Sequence, residues 1–139
     1  MSPDDSAGSD KLDIADVLLR YSSGIDRRDW DLFRRCFTSD VYAEYDDVGV
    51  WSGVDEFTNF MSVVHAGMGH TLHRITNPVI DVTGDRATAR TYVDAILMAS
   101  DGRGGIGAVG FFDDDFVRTP EGWRIARRHF TMVHVRPLG

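Results

Sequence analysis

The chain has 139 residues, 42% of them hydrophobic and 27% charged, and its 22 acidic against 15 basic residues leave a formal net charge of −7. That length fits one ordinary domain with a substantial core and is too short for two. The acidic balance argues against a nucleic-acid partner, because phosphate binding needs clustered Lys and Arg, and the short group Arg124, Arg127 and Arg128 falls inside a strand pattern. No segment approaches the roughly 20 continuous apolar residues of a membrane helix, so no membrane partner is expected. The single Cys36 cannot form an internal disulfide, and residues 1–10 carry neither a basic start nor an apolar run. A disordered tail over 1–10, a single domain over 11–139 and a cytoplasmic location are the expectations.

Residues 12–30, LDIADVLLRYSSGIDRRDW, have helical periodicity. Wound at 100° per residue, Asp13, Asp16, Arg20, Ser23 and Arg27 fall within a wedge of about 80° that faces water. Ile14, Val17, Leu18, Tyr21 and Ile25 cover much of the remainder. Asp26 lies about 60° outside the polar wedge, on the line that continues Leu12, Ala15 and Leu19, so an ideal helix points its carboxylate inward. Such a group needs a partner or takes up a proton. The alternative is fraying at Gly24, which would leave Asp26 solvated.

Asp29 can cap a second helix over 30–36, with Phe33 and Phe37 inward, and residues 38–40 punctuate the chain before a short strand over 41–45. Asp46, Asp47 and Gly49 make a turn. Residues 54–65 carry Phe57, Phe60, Met61 and Val64 at helical spacing. From His70 onward the period changes to two, over 70–82, 86–99, 106–118 and 123–135, joined by short Gly-, Pro- and Asp-bearing turns. Short loops imply antiparallel neighbours. The plan is α+β: a curved sheet wraps the N-terminal helices and leaves a hollow.

In HRITNPV, His73 shares a strand face with Ile75, Asn77 and Val79, and in the next strand Asp94 shares one with Tyr92, Ile96 and Met98. Two acids and a histidine that each break their local burial pattern form a candidate site. A carboxylate on one ring nitrogen of His73 would fix its tautomer and raise the basicity of the other, with Asp26 as the orienting group. Tyr21 and Tyr45 offer hydroxyls for a substrate oxygen. Asp94 donates a proton if kept neutral, or binds a polar group if ionised. His65 and His70 suggest a metal site with His73, but His70 and His73 fall on opposite faces of a strand, so no metal site is expected. Alternation turns at least one of Asp113, Asp114 and Asp115 inward, and Arg128 shares a face with Phe130 and Met132.

The order of Tyr21 and Asp26 before Arg28-Asp29-Trp30, Phe37-Thr38-Ser39-Asp40, Trp51-Ser52-Gly53, His73 with Asn77, Gly84-Asp85-Arg86-Ala87 and residues 118–128 (RTPEGWRIARR) resembles the SnoaL-like branch of the nuclear transport factor 2-like superfamily. That resemblance implies a cone-shaped barrel: a curved, mixed and mostly antiparallel sheet wrapped around N-terminal helices, with a deep pocket. The pattern is most similar to scytalone dehydratase, bile acid dehydratase and hexachlorocyclohexane dehydrochlorinase. These use a His-Asp dyad for elimination without metal or organic cofactor. The resemblance implies Asp26 and His73 as the dyad, Tyr21, Tyr45 and Asp94 as its catalytic companions and Arg128 near the pocket; Phe57, Met61 and Asn77 are the further candidates for contact with the substrate. A second pocket histidine, expected on the strand that holds Asp94, has no obvious counterpart, which argues against scytalone itself as substrate.

The expectation is therefore a cofactor-independent dehydratase-type lyase acting on a mainly apolar cyclic molecule such as a steroid or polyketide. An isomerase or cyclase of the ketosteroid-isomerase type with the same base, or a non-catalytic binding domain, are the alternatives. A homodimer or homotrimer is expected, since the long final strands would otherwise leave Val133 and Val135 in water.

Overall fold

The computed structural model describes residues 3–139, which form three helices and one six-stranded sheet: α1 (Pro3–Arg27), α2 (Trp30–Arg34), β1 (Phe37–Tyr45), β2 (Gly49–Ser52), α3 (Val54–Ala66), β3 (Met68–Thr83), β4 (Arg86–Ala99), β5 (Gly105–Thr119) and β6 (Gly122–Leu138). The strand order is β2-β1-β6-β5-β4-β3. Only β1 and β6 run parallel, and the period-two runs pair as an antiparallel meander. This is the α+β plan expected, a mixed sheet that curls over the helices without closing.

Register shifts help to bend the sheet. One falls at Val109/Gly110 in the β5–β6 pairing, where a Cβ on Gly110 would collide with the Thr131 carbonyl and the Phe130 ring. Another falls at Thr76/Val79 in β3, where Asn77 adopts φ 54°.

α1 packs through Ile14, Val17, Leu18, Tyr21 and Ile25, all buried. Arg28 ends it in the left-handed region at φ 60°, its N–H bonded to the Ile25 carbonyl at 3.2 Å. The Asp29 carboxylate then caps α2, accepting the Leu32 N–H at 3.1 Å. Phe33, Phe37 and Phe57 pack tilted or edge-on at ring separations of 5.1–5.3 Å into an aromatic cluster of the core. Complete burial of each such ring contributes roughly 1.5–3 kcal/mol.

Several expectations need correction. The helix begins at Pro3, so residues 3–10, expected as part of a disordered tail, are its first turns; residues 1 and 2 lie outside the described residues. Asp10 there accepts bonds from Arg118 at 2.8 and 2.9 Å and from the Trp123 indole at 3.2 Å, which tie the helix to β5 and β6. Leu12 and Leu19 are 74% and 55% exposed, so the line on which Asp26 lies is not an inward face. It sits about 120° from the centre of the packed stripe. Apart from Ala15, which is partly buried against the core, it is covered at the end of α1, where β3 crosses it. Residues 38–40 continue β1 rather than break the chain, and β2, four residues long, carries too short a pattern to have been read. No helix among the described residues is long and apolar enough to cross a membrane.

Candidate active site

Asp26 stands in the last turn of α1, beneath β3. One carboxylate oxygen accepts the backbone N–H of His73 at 2.8 Å; the other accepts the His73 ring Nδ1–H at 2.7 Å and the Thr71 hydroxyl at 2.9 Å. Burial alone would raise the Asp26 carboxyl. The bonds from the His73 ring and backbone and from Thr71 outweigh it and hold the group below the ordinary carboxylate range. Donation from Nδ1 leaves Nε2 with the lone pair, which makes it the basic nitrogen.

Arg28, to which the sequence assigns no role, fixes this geometry. Its guanidinium donates to the carbonyls of Ile25 at 3.1 Å and Asp26 at 3.2 Å, capping the helix, and to the Gly69 carbonyl at 2.7 Å and the Thr71 hydroxyl at 2.8 Å on β3. Helix end and strand are thus clamped together at the point where carboxylate and imidazole meet.

A cavity of about 260 Å³ opens beside the pair, lined by Tyr21, Tyr45, His65 and His73 among apolar groups such as Ile25, Met61, Val93 and Phe112. The Tyr21 and Tyr45 hydroxyls bond each other at 2.8 Å, fully withdrawn from solvent. Behind them Arg128, with no exposed surface, donates through Nε and Nη2 to Asp114 at 2.7 and 2.9 Å and approaches the Tyr45 hydroxyl with Nη1 at 3.4 Å. Its guanidinium also lies 4.2 Å from the Tyr21 ring centre and 3.8 Å from that of Phe112. Burial works against the Arg128 charge, but Asp114 overrides it and holds the pKa well above the ordinary value. For Tyr21, burial and the neighbouring Tyr45 raise the phenol far above its usual range; for Tyr45, burial outweighs the pull of Arg128. Both hydroxyls therefore keep their protons. Either hydroxyl can donate in this pair; in the arrangement where Arg128 donates to Tyr45 and Tyr45 to Tyr21, the Tyr21 O–H is left as the free donor at the end of the chain.

The other candidates fall elsewhere. Asp94 is on the outer face of β4, bonded to Arg74 at 3.0 Å, while its neighbours Val93 and Ala95 line the cavity. The strand alternates as expected, but its inward face is the small-residue one. Asn77 is exposed at the β3 bulge, four residues past His73, the last residue of that face to line the cavity. Phe57 is buried behind Tyr45, at a ring separation of 5.7 Å, and supports the cavity wall without lining it. Met61 does line it. Asp114, one of three consecutive acids, is the inward one. His65, considered in the sequence only as a metal ligand, lines the cavity from α3. Among the described residues the one group of three metal-type ligands within reach of a common point is Glu44, Asp46 and His129, in a partly exposed ion-pair cluster rather than in the cavity.

A curled sheet over a long first helix, enclosing an apolar cavity, is the architecture of a SnoaL-like domain, and the chain belongs to that family: its sequence profile matches residues 7–129. The uncharacterized protein Rv2910c of Mycobacterium tuberculosis (strain H37Rv) is 37% identical over 125 residues, covering 86% of this chain and 83% of its own. Two solved structures share the fold. A Novosphingobium aromaticivorans protein assigned provisionally to scytalone dehydratase matches with a TM-score of 0.88 at 21% identity, over 95% of this chain and 89% of its own. The hexachlorocyclohexane dehydrochlorinase LinA-type3 of Novosphingobium barchaimii matches with a TM-score of 0.86 at 18% identity, over 99% and 95%.

Proposed function

We propose that this protein is a cofactor-independent lyase, of dehydratase type, in which His73 removes a proton next to a carbonyl of a mainly apolar ring compound. The observation that carries the reading is the double grip of Asp26 on His73, by ring and by backbone. It leaves Nε2 the only basic position of the imidazole. In the reaction, Nε2 takes the Cα proton, the electron pair forms the enolate, and Tyr21, backed by Tyr45 and Arg128, donates to the enolate oxygen. Collapse of the enolate forms the C=C bond and breaks the C–O bond at the β-carbon. The departing hydroxide takes the proton back from His73 and leaves as water.

The cavity volume lies near the lower end of small-molecule sites, which favours a substrate of two or three rings. The relatives named for a dehydratase and a dehydrochlorinase are consistent with elimination on this fold. Isomerisation begins with the same enolate, and the Tyr21–Tyr45–Arg128 chain serves it equally; the products distinguish the two. Bicyclic β-hydroxy ketones are the test substrates, with the gain of conjugated-enone absorbance as the readout. Lyase action requires enone formation that is lost in His73→Ala. Exposed Leu72, Val133 and Val135 on the protomer are the basis for expecting a homodimer or homotrimer, which sedimentation equilibrium measures.

A further inference from the structure

His65 is the polar lining group that the dyad and the tyrosine pair leave unexplained. It closes α3, is 5% exposed, and its Nδ1 lies 2.8 Å from the carbonyl of Met61, one turn back on the helix. A carbonyl only accepts, so the proton is on Nδ1. Nε2 of the neutral ring then carries a lone pair, is buried, and has no hydrogen-bond partner among the described residues. Burial, helped by the nearby charge of Arg28, lowers the His65 pKa to about 4, more than the Met61 carbonyl raises it, so protonation does not relieve the unmet lone pair near neutral pH. The His65 and His73 ring centres are 6.0 Å apart.

A buried acceptor without a donor is costly, and sites that hold such groups discriminate strongly for ligands that supply the missing hydrogen bond. We propose that His65 is a specificity-determining residue whose Nε2 accepts a hydrogen bond from a hydroxyl or N–H of the bound molecule. The cavity then selects donor-bearing ring compounds over purely apolar or halogenated ones of the same shape. Because His65 stands beside His73, the donor sits about one ring away from the carbon that loses its proton. This extends the small-molecule reading of the cavity and rests on it.

The test uses two probes of matched shape, 2-naphthol and 2-methylnaphthalene, titrated calorimetrically into wild type and His65→Leu. Wild type is expected to favour 2-naphthol, and the variant to lose about tenfold of that preference. In parallel, the ¹⁵N resonance of His65 Nε2 in the wild-type protein should move upfield with 2-naphthol and stay in place with 2-methylnaphthalene. This second readout decides the matter if the variant fails to fold. An unchanged preference in His65→Leu, or an unmoved Nε2 resonance in wild type saturated with 2-naphthol, overturns the assignment. Binding of neither probe to wild type defeats the small-molecule reading of the cavity itself, and the assignment with it.

Discussion

Asp26 holds His73 at two points, accepting its backbone N–H at 2.8 Å with one oxygen and its ring Nδ1–H at 2.7 Å with the other. The carboxylate therefore fixes strand and imidazole together, and the tautomer that makes Nε2 basic is built into the docking of α1 on β3. Asp26→Asn keeps the shape but replaces one acceptor oxygen by a donor amide. Turnover in Asp26→Asn and in His73→Ala is expected to fall about 10²–10⁴-fold, with the circular dichroism spectrum unchanged. Steady-state kinetics on a β-hydroxy ketone measures it.

Arg28 acts through the dyad without touching the cavity. Arg28→Met removes four hydrogen bonds that cap α1 and clamp it to β3. A stability loss of about 1–3 kcal/mol is expected, together with a fall in kcat at little change in KM. Urea denaturation and kinetics on the same preparation separate the two effects.

The Asp114–Arg128 pair is completely buried. Asp114→Asn leaves a guanidinium without its counter-charge in the core, at an expected cost of about 3–5 kcal/mol. Replacing both residues, as Asp114→Leu with Arg128→Met, should recover much of that stability while the support for Tyr45 is lost. Denaturation midpoints of the single and double variants give the comparison.

His65 sets a pH dependence of stability. Unfolded, it binds a proton below its ordinary value of 6.5; folded, only below about 4. Between these values the unfolded chain holds the extra proton, so stability rises with pH across the window. This contribution is intact at neutral pH and declines as pH falls from 6.5 to 4, by about 3 kcal/mol in all. Asp26 adds to the loss at lower pH, since its lowered carboxyl stabilises the fold above its ordinary 3.8 and ceases to do so as pH falls through its folded value. Urea midpoints at several pH values should show a shallower slope between pH 4 and 6.5 in His65→Leu than in wild type.

Much of the fold was legible because side-chain alternation in strands is a local property. The runs from residue 70 onward became β3 to β6 with ends within three residues of those expected. Asp26 was legible as a misfit, although its partner came from β3 crossing one end of α1 rather than from a buried helix face. Asp94 was misplaced because both faces of β4 carry apolar residues; which one turns inward depends on the helices that the Ala87, Ala89 and Val93 face packs against. Arg128 and Asp114 meet through the β5–β6 register, which places them directly opposite. Alternation alone could say only that one of three acids turns inward. His65 had a signal that went unused, since it lies four residues after Met61 and eight after Phe57 on one face of α3.

Hydrogen exchange at a carbon next to a carbonyl tests the central claim most directly, because it precedes elimination and isomerisation alike. In D₂O, with 1-tetralone as the bound ketone, wild type should accelerate loss of the α-proton signal at least about 100-fold over His73→Ala. Equal exchange rates in the two proteins, with the ketone bound equally by both, would contradict the role of His73 as the base.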